Sequence, residues 1–270
     1  MRGLALLLIA AAPLFAEDAA GIMERVGRNQ ERAEKLRSVY LFQQDVQIRL
    51  HRGGRKLARE ERHRFTVAPG PNGISKERVS FAGRYTDGGK TVEYDRPGYK
   101  YKGLDIDAEI AGDLVDELTA DKSSRDGLAA DLFPLTPEQQ RKYKFRFEGP
   151  QSYAGREVFR ITFKPKTRES ASWAGEALID AAAYEPVLIT TWLARGVPMA
   201  VRVLLGTNLK HLGFKVAYQQ VDDGAWFPVS YGGEFQLKAL FFYKRTISIS
   251  MRNEEFRRAD ISSYITYDLR

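Results

Sequence analysis

Tyr143-Lys144-Phe145-Arg146-Phe147-Glu148 alternates ring and charge with a period of two. That period belongs to an extended strand, whose successive side chains point to opposite faces. One face of this strand is apolar and the other is wet. The pattern returns in Phe159, Ile161 and Phe163 against Arg160, Thr162 and Lys164. It returns again in Val46, Ile48 and Leu50 against Gln47, Arg49 and His51, and in Ile247, Ile249 and Met251 against Ser248, Ser250 and Arg252. Strands wetted on one face belong to antiparallel sheets, because parallel ones are covered on both sides and read as continuous apolar runs. Turn signals separate them at Gly53-Gly54, Asp87-Gly88-Gly89, Tyr153-Ala154-Gly155 and Asp222-Asp223-Gly224. These are hairpin connections of a meandering sheet.

Helical periodicity is confined to a few places. Ile22, Val26, Ala33 and Leu36 mark one apolar stripe between residues 18 and 37, and Ile110, Leu114, Val115 and Leu118 mark another between 105 and 121. A short helix is expected over 124–132. A further one should start at Thr136-Pro137-Glu138, where an N-cap residue precedes proline at the first helical position. The order is therefore a helix, about four strands, two or three helices and then about seven strands, in a mainly β (α+β) chain. About eleven antiparallel strands with so few helices must curl to hide one apolar face, which gives an incomplete, strongly curved antiparallel β-barrel. The amphipathic helices would cover its concave opening. Residues 17–270 read as one domain, without repeats or linkers.

The N-terminus carries an address. Met1-Arg2-Gly3 precedes an apolar run from Leu4 to Ala12, and Pro13 to Ala16 lead into Glu17-Asp18. This is the order of a secretory signal peptide over residues 1–16. The run is well short of the ~20 residues of a membrane span. The 270 residues contain no cysteine. That excludes disulfides, thiolate nucleophiles and zinc-thiolate sites, and it leaves no residue after the signal to accept a lipid. The expected product is exported, soluble and unlipidated, in the periplasm. Formal net charge is +7, and losing Arg2 with the signal leaves +6. The basic residues are dispersed along strands, as on a solvated face, and form no block of the kind that binds nucleic acid.

Catalytic patterns do not assemble. Gly83 to Thr91 superficially resembles a phosphate-binding loop, but five residues separate its first glycine from Gly89-Lys90-Thr91, and strands flank it where a helix would have to follow. A hairpin turn accounts for it. His51, His63 and His211 form no metal-binding pair and read as solvated strand histidines. No Gly-x-Ser-x-Gly elbow exists, and Asp222-Asp223 and Glu254-Glu255 are neighbours whose side chains point apart in a strand. No enzyme activity, cofactor or metal is expected.

The stretch Gly196 to Leu209 is a long connection with Val197, Met199, Val201, Val203, Leu204, Leu205 and Leu209 and a single charge, Arg202. Connections are normally polar. It reads either as a helix completing the core or as a flap facing a ligand. Leu240-Phe241-Phe242-Tyr243 reads as part of a strand buried on both faces.

Trp173-Ala174-Gly175-Glu176-Ala177-Leu178-Ile179-Asp180, then Tyr184-Glu185-Pro186-Val187, then Asp223-Gly224-Ala225-Trp226-Phe227-Pro228, form a recognisable series. One strand ends in Ile-Asp, the next opens with Pro-Val, and a hairpin carries Asp-Gly-x-Trp-Phe-Pro. This resembles the LolA/LolB-like superfamily, which comprises the periplasmic lipoprotein carrier, its outer-membrane receptor and outer-membrane lipoprotein-sorting relatives. The resemblance implies a half-barrel whose cavity takes up acyl chains beneath a helical lid, with no catalytic residue. The receptor subclass is lipidated at a cysteine, so the soluble carrier-like subclass fits better. Lid and flap positions are then Ile110, Leu114, Val115, Leu118, Val201, Leu204 and Leu205, and inward cavity positions are Phe145, Phe147, Phe159, Ile161 and Phe163. Each of these also reads as plain core. The implied role is a lipid- or lipoprotein-binding carrier or chaperone; the alternative is an envelope signalling or sensor module that binds a protein partner. Expected partners are lipid or lipoprotein acyl chains, envelope proteins and, transiently, a membrane; nucleic acid is not expected, and the chain reads as a monomer.

Overall fold

The structure is a computed structural model. It describes residues 18–70, 73–101, 103–120, 134–167, 172–195, 208–210, 212–221, 224–239 and 243–259. The leader, the expected helix over 124–132, most of the Gly196–Leu209 connection, His211 and Leu240–Phe242 lie outside these residues.

Helix α1 (Ala19–Arg37) starts where Asp18 accepts a hydrogen bond from the Gly21 amide, and it ends over Lys35 and Arg37. Capping and charge thus agree with the helix dipole at both ends. Four strands follow: β1 (Tyr40–His51), β2 (Leu57–Gly70), β3 (Gly73–Asp87) and β4 (Lys90–Tyr94). Next come α2 (Ile106–Ala120) and the single turn α3 (Pro137–Gln140), which Thr136 caps as its sequence foretold. The remaining strands are β5 (Tyr143–Tyr153), β6 (Arg156–Pro165), β7 (Ser172–Asp180), β8 (Pro186–Arg195), β9 (Asn208–Lys210), β10 (Gly213–Gln220), β11 (Trp226–Ala239) and β12 (Tyr243–Arg258).

All pairings are antiparallel. The strands lie in the order β4-β3-β2-β1-β12-β11-β10-β8-β7-β6-β5, with β9 on the side of β11. The sheet remains open, because β4 and β5 stand at its two ends and do not pair. Closure in sequence comes instead at the middle, where β12 returns to β1 over eleven residues of register, Tyr40 opposite Arg258 through His51 opposite Thr246. Register shifts at Leu41/Gln43, Arg64/Phe65, Phe147/Gly149 and Ala217/Tyr218 bend the strands.

One reading is sharpened and one changes. Among the described residues eight strands follow α3, where about seven were expected: the end of the apolar connection, Asn208–Lys210, pairs with Gln236–Lys238 as β9. A three-residue strand is too short to show a period. His63 is also not solvated. It is 3% exposed, because its position on β2 shares a face with Phe65 and Val67, and that face is the core side. The turn readings at Gly53-Gly54, Asp87-Gly88-Gly89 and Tyr153-Ala154-Gly155 hold, with left-handed backbone at Gly54, at Gly88-Gly89 and at Ala154-Gly155, while Asp222-Asp223 lie outside the described residues.

Candidate functional site

Helices α1 and α2 pack on the same face of the sheet, and the registers show which side chains share it. Phe147 lies opposite Ile161, Ile161 opposite Ala177, and Ala177 opposite Ile189. The row continues through Val216, Tyr231, Met251 and Val46 before it reaches His63 and Phe81. A second row begins with Phe145 and Phe163, crosses Gly175, Thr191 and Phe214, and proceeds by Gly233, Ile249 and Ile48 to Glu61, Gly83 and Tyr94. Three glycines in this row have a common purpose. A Cβ on Gly175 would run into the Phe163 ring, one on Gly233 into Phe214, and one on Gly83 into Tyr94. Each glycine lets the ring from the adjoining strand lie against the sheet.

From β5 to β1 these rows carry no charged side chain. Ile161, Ile189, Val216 and Ile48 are fully buried, and Phe145, Phe147, Phe159 and Phe214 are partly buried against the same cluster. Phe147 and Phe159 meet edge to face, with centroids 5.7 Å apart. Thus Phe145, Phe147, Phe159, Ile161 and Phe163 do share one face. On α2, Ile110, Leu114 and Val115 are buried in that cluster. Leu118 belongs to α2, but its side chain lies outside the described residues, as do Val201, Leu204 and Leu205.

At β2 the face changes character. Arg59, Glu61 and His63 are 1%, 2% and 3% exposed. Arg59 reaches Tyr94 Oη, Glu61 Oε1 (3.2 Å) and Asp105 Oδ2 (2.5 Å). Tyr94 donates its hydroxyl to Glu61 Oε1 at 2.7 Å, and His63 Nε2 donates to Glu61 Oε2 at 3.2 Å. Burial alone would push the Glu61 carboxyl up. The hydrogen bonds from His63 and Tyr94 and the charges nearby outweigh it and hold Glu61 below the usual carboxylate range. Burial, with the Glu61 carboxylate alongside, pushes the Tyr94 phenol up. Tyr85 and Tyr94 flank the Arg59 guanidinium, and Tyr101 and Tyr99 pack on them in turn. A carboxylate, a histidine, a tyrosine and an arginine in contact have the components of an acid–base site, yet they are sealed in and bonded to one another. The arrangement is a buried tie.

What it ties is the start of α2. Asp105 caps the helix, accepting from the Ala108 amide at 3.0 Å with one oxygen and from Arg59 with the other. Two residues on, Asp107 receives both arms of Arg245, at 2.8 and 3.0 Å, and the Tyr243 hydroxyl at 2.5 Å. Two arginines from strands far apart in sequence therefore clamp one end of this helix. A recess of about 340 Å3 lies between them. Helix α1 is held differently. Asn29 donates to the Ala183 and Tyr184 carbonyls in the β7–β8 turn, and Gln30 donates to the buried Glu185 at 2.7 Å. Burial pushes the Glu185 carboxyl up to about 7, against the lowering effect of Arg37, Arg32 and Gln30.

The charged tie was not foreseen, although one signal for it stood in the sequence. Carrying the phase of Phe65 and Val67 back along β2 puts His63, Glu61 and Arg59 on the core side.

Comparison with solved structures returns likenesses at low sequence identity. A DUF1329 family protein from Desulfovibrio piger is 9% identical, with 92% of this chain and 96% of that one covered and a TM-score of 0.40. An outer-membrane lipoprotein-sorting protein domain from Vibrio parahaemolyticus is 12% identical over 89% and 95%, TM-score 0.39. A LolA superfamily protein from Nitrosomonas europaea is 13% identical over 91% and 96%, TM-score 0.36. No family model and no curated protein matches the sequence.

Proposed function

We propose that this protein is a non-enzymatic carrier or chaperone that holds the acyl chains of a lipid or lipidated protein against the concave face of its open sheet, beneath α1 and α2. The observation that carries this reading is the largely apolar face, free of charged side chains in its two described rows, from β5 to β1. Its eight strands in sheet order, spaced about 4.8 Å apart, span roughly 34 Å, whereas a helix with its side chains is only about 10–12 Å wide. The partly buried rings of Phe145, Phe147, Phe159 and Phe214 lie on that face. An acyl chain laid there gains about 0.8 kcal/mol for each methylene removed from water. The clamp at Asp105 and Asp107 fixes where α2 starts while its apolar stripe covers the face, which is the form a lid requires. No helix among the described residues is long and apolar enough to cross a membrane. Export to the periplasm by the leader would place the carrier between two membranes.

The test uses delipidated mature chain in native mass spectrometry and in displacement of a fluorescent fatty-acid probe. Binding at micromolar concentration that weakens severalfold in Phe147→Ala is expected; no bindable acyl ligand would sink the proposal. A stable complex crosslinked from envelopes, without lipid transfer between vesicles, would favour the sensor role instead.

A further inference from the structure

The outer face of the sheet holds a feature that the carrier reading does not use. A trough of about 990 Å3 crosses it from β3 to β8, over β2, β1, β12, β11 and β10. Its floor is low because small residues meet there: Ser250 pairs with Gly232, which pairs with Lys215, and one row away Arg252 pairs with Ser230, which pairs with Ala217. Cations rise at both ends of these rows. Arg62, Arg64 and Arg252 stand towards β2 and Lys215 towards β8, and the one carboxylate among the described lining residues is Asp45.

The cations are only partly neutralised where they stand. Arg64 is paired, with Asp45 at 2.6 and 2.7 Å and with Glu254 at 3.3 Å. Arg62 shares the carboxylate of Glu60 with Arg49 and Arg84, so three guanidiniums surround one negative charge. Burial alone would push Glu60 up, and hydrogen bonds from those arginines hold it low instead. Lys215 makes no ion pair among the described residues and is exposed, as is Arg252. The trough therefore carries an excess of positive charge, with Lys215 and Arg252 open to a ligand.

Its shape limits what fits. Six inter-strand spacings of about 4.8 Å make it about 29 Å long, and two side-chain rows make it about 7 Å wide. A membrane surface is too broad to enter and a helix of about 10 Å too thick. An extended chain at about 3.3 Å per residue fills it with about nine residues. The serine hydroxyls on the floor suit a peptide backbone. The two aromatic residues of the lining, Phe81 and Tyr231, belong by register to the opposite face, so no ring is offered for stacking a sugar or a base.

We propose that this outer trough binds an extended acidic segment of a partner protein, independently of any ligand on the concave face. The test is fluorescence anisotropy of a labelled nine-residue Glu/Ser peptide against the full mature chain, with a Lys/Ser peptide as control. Saturable binding of the acidic peptide alone is expected, weakening as salt rises. The exposed pair Lys215→Glu with Arg252→Glu should weaken it about tenfold or more. Ser250→Trp, which fills the floor without altering charge, should do the same, with unfolding curves confirming that both variants fold. Absence of binding, equal binding of the control peptide, or loss on charge reversal but not on Ser250→Trp would overturn the proposal. So would capture of dextran sulfate or anionic vesicles in place of the peptide. Fatty-acid probe binding should be unchanged in both variants, so this proposal and the carrier reading can fail separately.

Discussion

The two ends of the helix-covered face are built by opposite means. From β5 to β1, cohesion comes from aliphatic and aromatic side chains with no charge in their rows; at β2 to β4, it comes from Arg59, Glu61, His63, Tyr94 and Asp105. The first kind of packing is non-directional, and a neighbour can shift to fill a space. The second depends on each partner's presence, since a charge left alone in the interior has neither water nor a counter-ion. The first therefore suits a face that must accommodate a guest, and the second a point that must not move.

The most damaging way to break the contrast is to remove the arginine at the centre of the tie. Arg59→Met strands Glu61 and Asp105 beside an apolar side chain and should cost about 3–5 kcal/mol in urea unfolding. On the apolar side, Ile161→Ala, at a fully buried position, should cost about 2–4 kcal/mol, the transfer term plus whatever cavity remains. A loss near the lower limit would show that this end collapses around a space, as the comparison implies.

Glu185 offers a third test, because it is a buried carboxyl beside the apolar end whose hydrogen-bond partner is the uncharged Gln30. Its pKa is raised in the folded chain, from an ordinary 4.5 to about 7. The folded state therefore holds a proton between those values that the unfolded chain has lost. The resulting stabilisation is fully present below about pH 4.5 and disappears as pH rises through about 7. Glu185→Gln should flatten that slope and make the protein about 2 kcal/mol more stable than the parent at pH 8, measured by thermal or urea unfolding across pH. The smallest stability effect is expected for Phe147→Ala, about 1 kcal/mol because the ring is only partly buried. The same variant should lose affinity for the fatty-acid probe, and this separation of stability from binding is what a guest-accepting surface predicts.

The strands were legible because the period of two is a local property. Phe145, Phe147, Ile161 and Phe163 could be assigned to one face from spacing alone, and α2 from the stripe of Ile110, Leu114 and Val115. Which strands lie side by side was not legible, since the pairing of β1 with β12 joins residues some two hundred positions apart. The trough shares that limit: Ser250, Gly232 and Lys215 look unremarkable until register puts them in line. Asp105 had the position of a helix cap, but nothing local could show that Arg59 and Arg245 would converge on the start of the same helix. His63 was misread because a charged neighbourhood in sequence suggests water, whereas the Phe65-Val67 phase put it inside.

The clamp on α2 also has a mechanical side. At about 1.5 Å per residue, its fifteen residues make a rod roughly 22 Å long, pinned at one end by Asp105 and Asp107. A rotation of about 10° at such a pivot would sweep the far end through roughly 4 Å over that length. The helix is a lever, and its fulcrum is ionic.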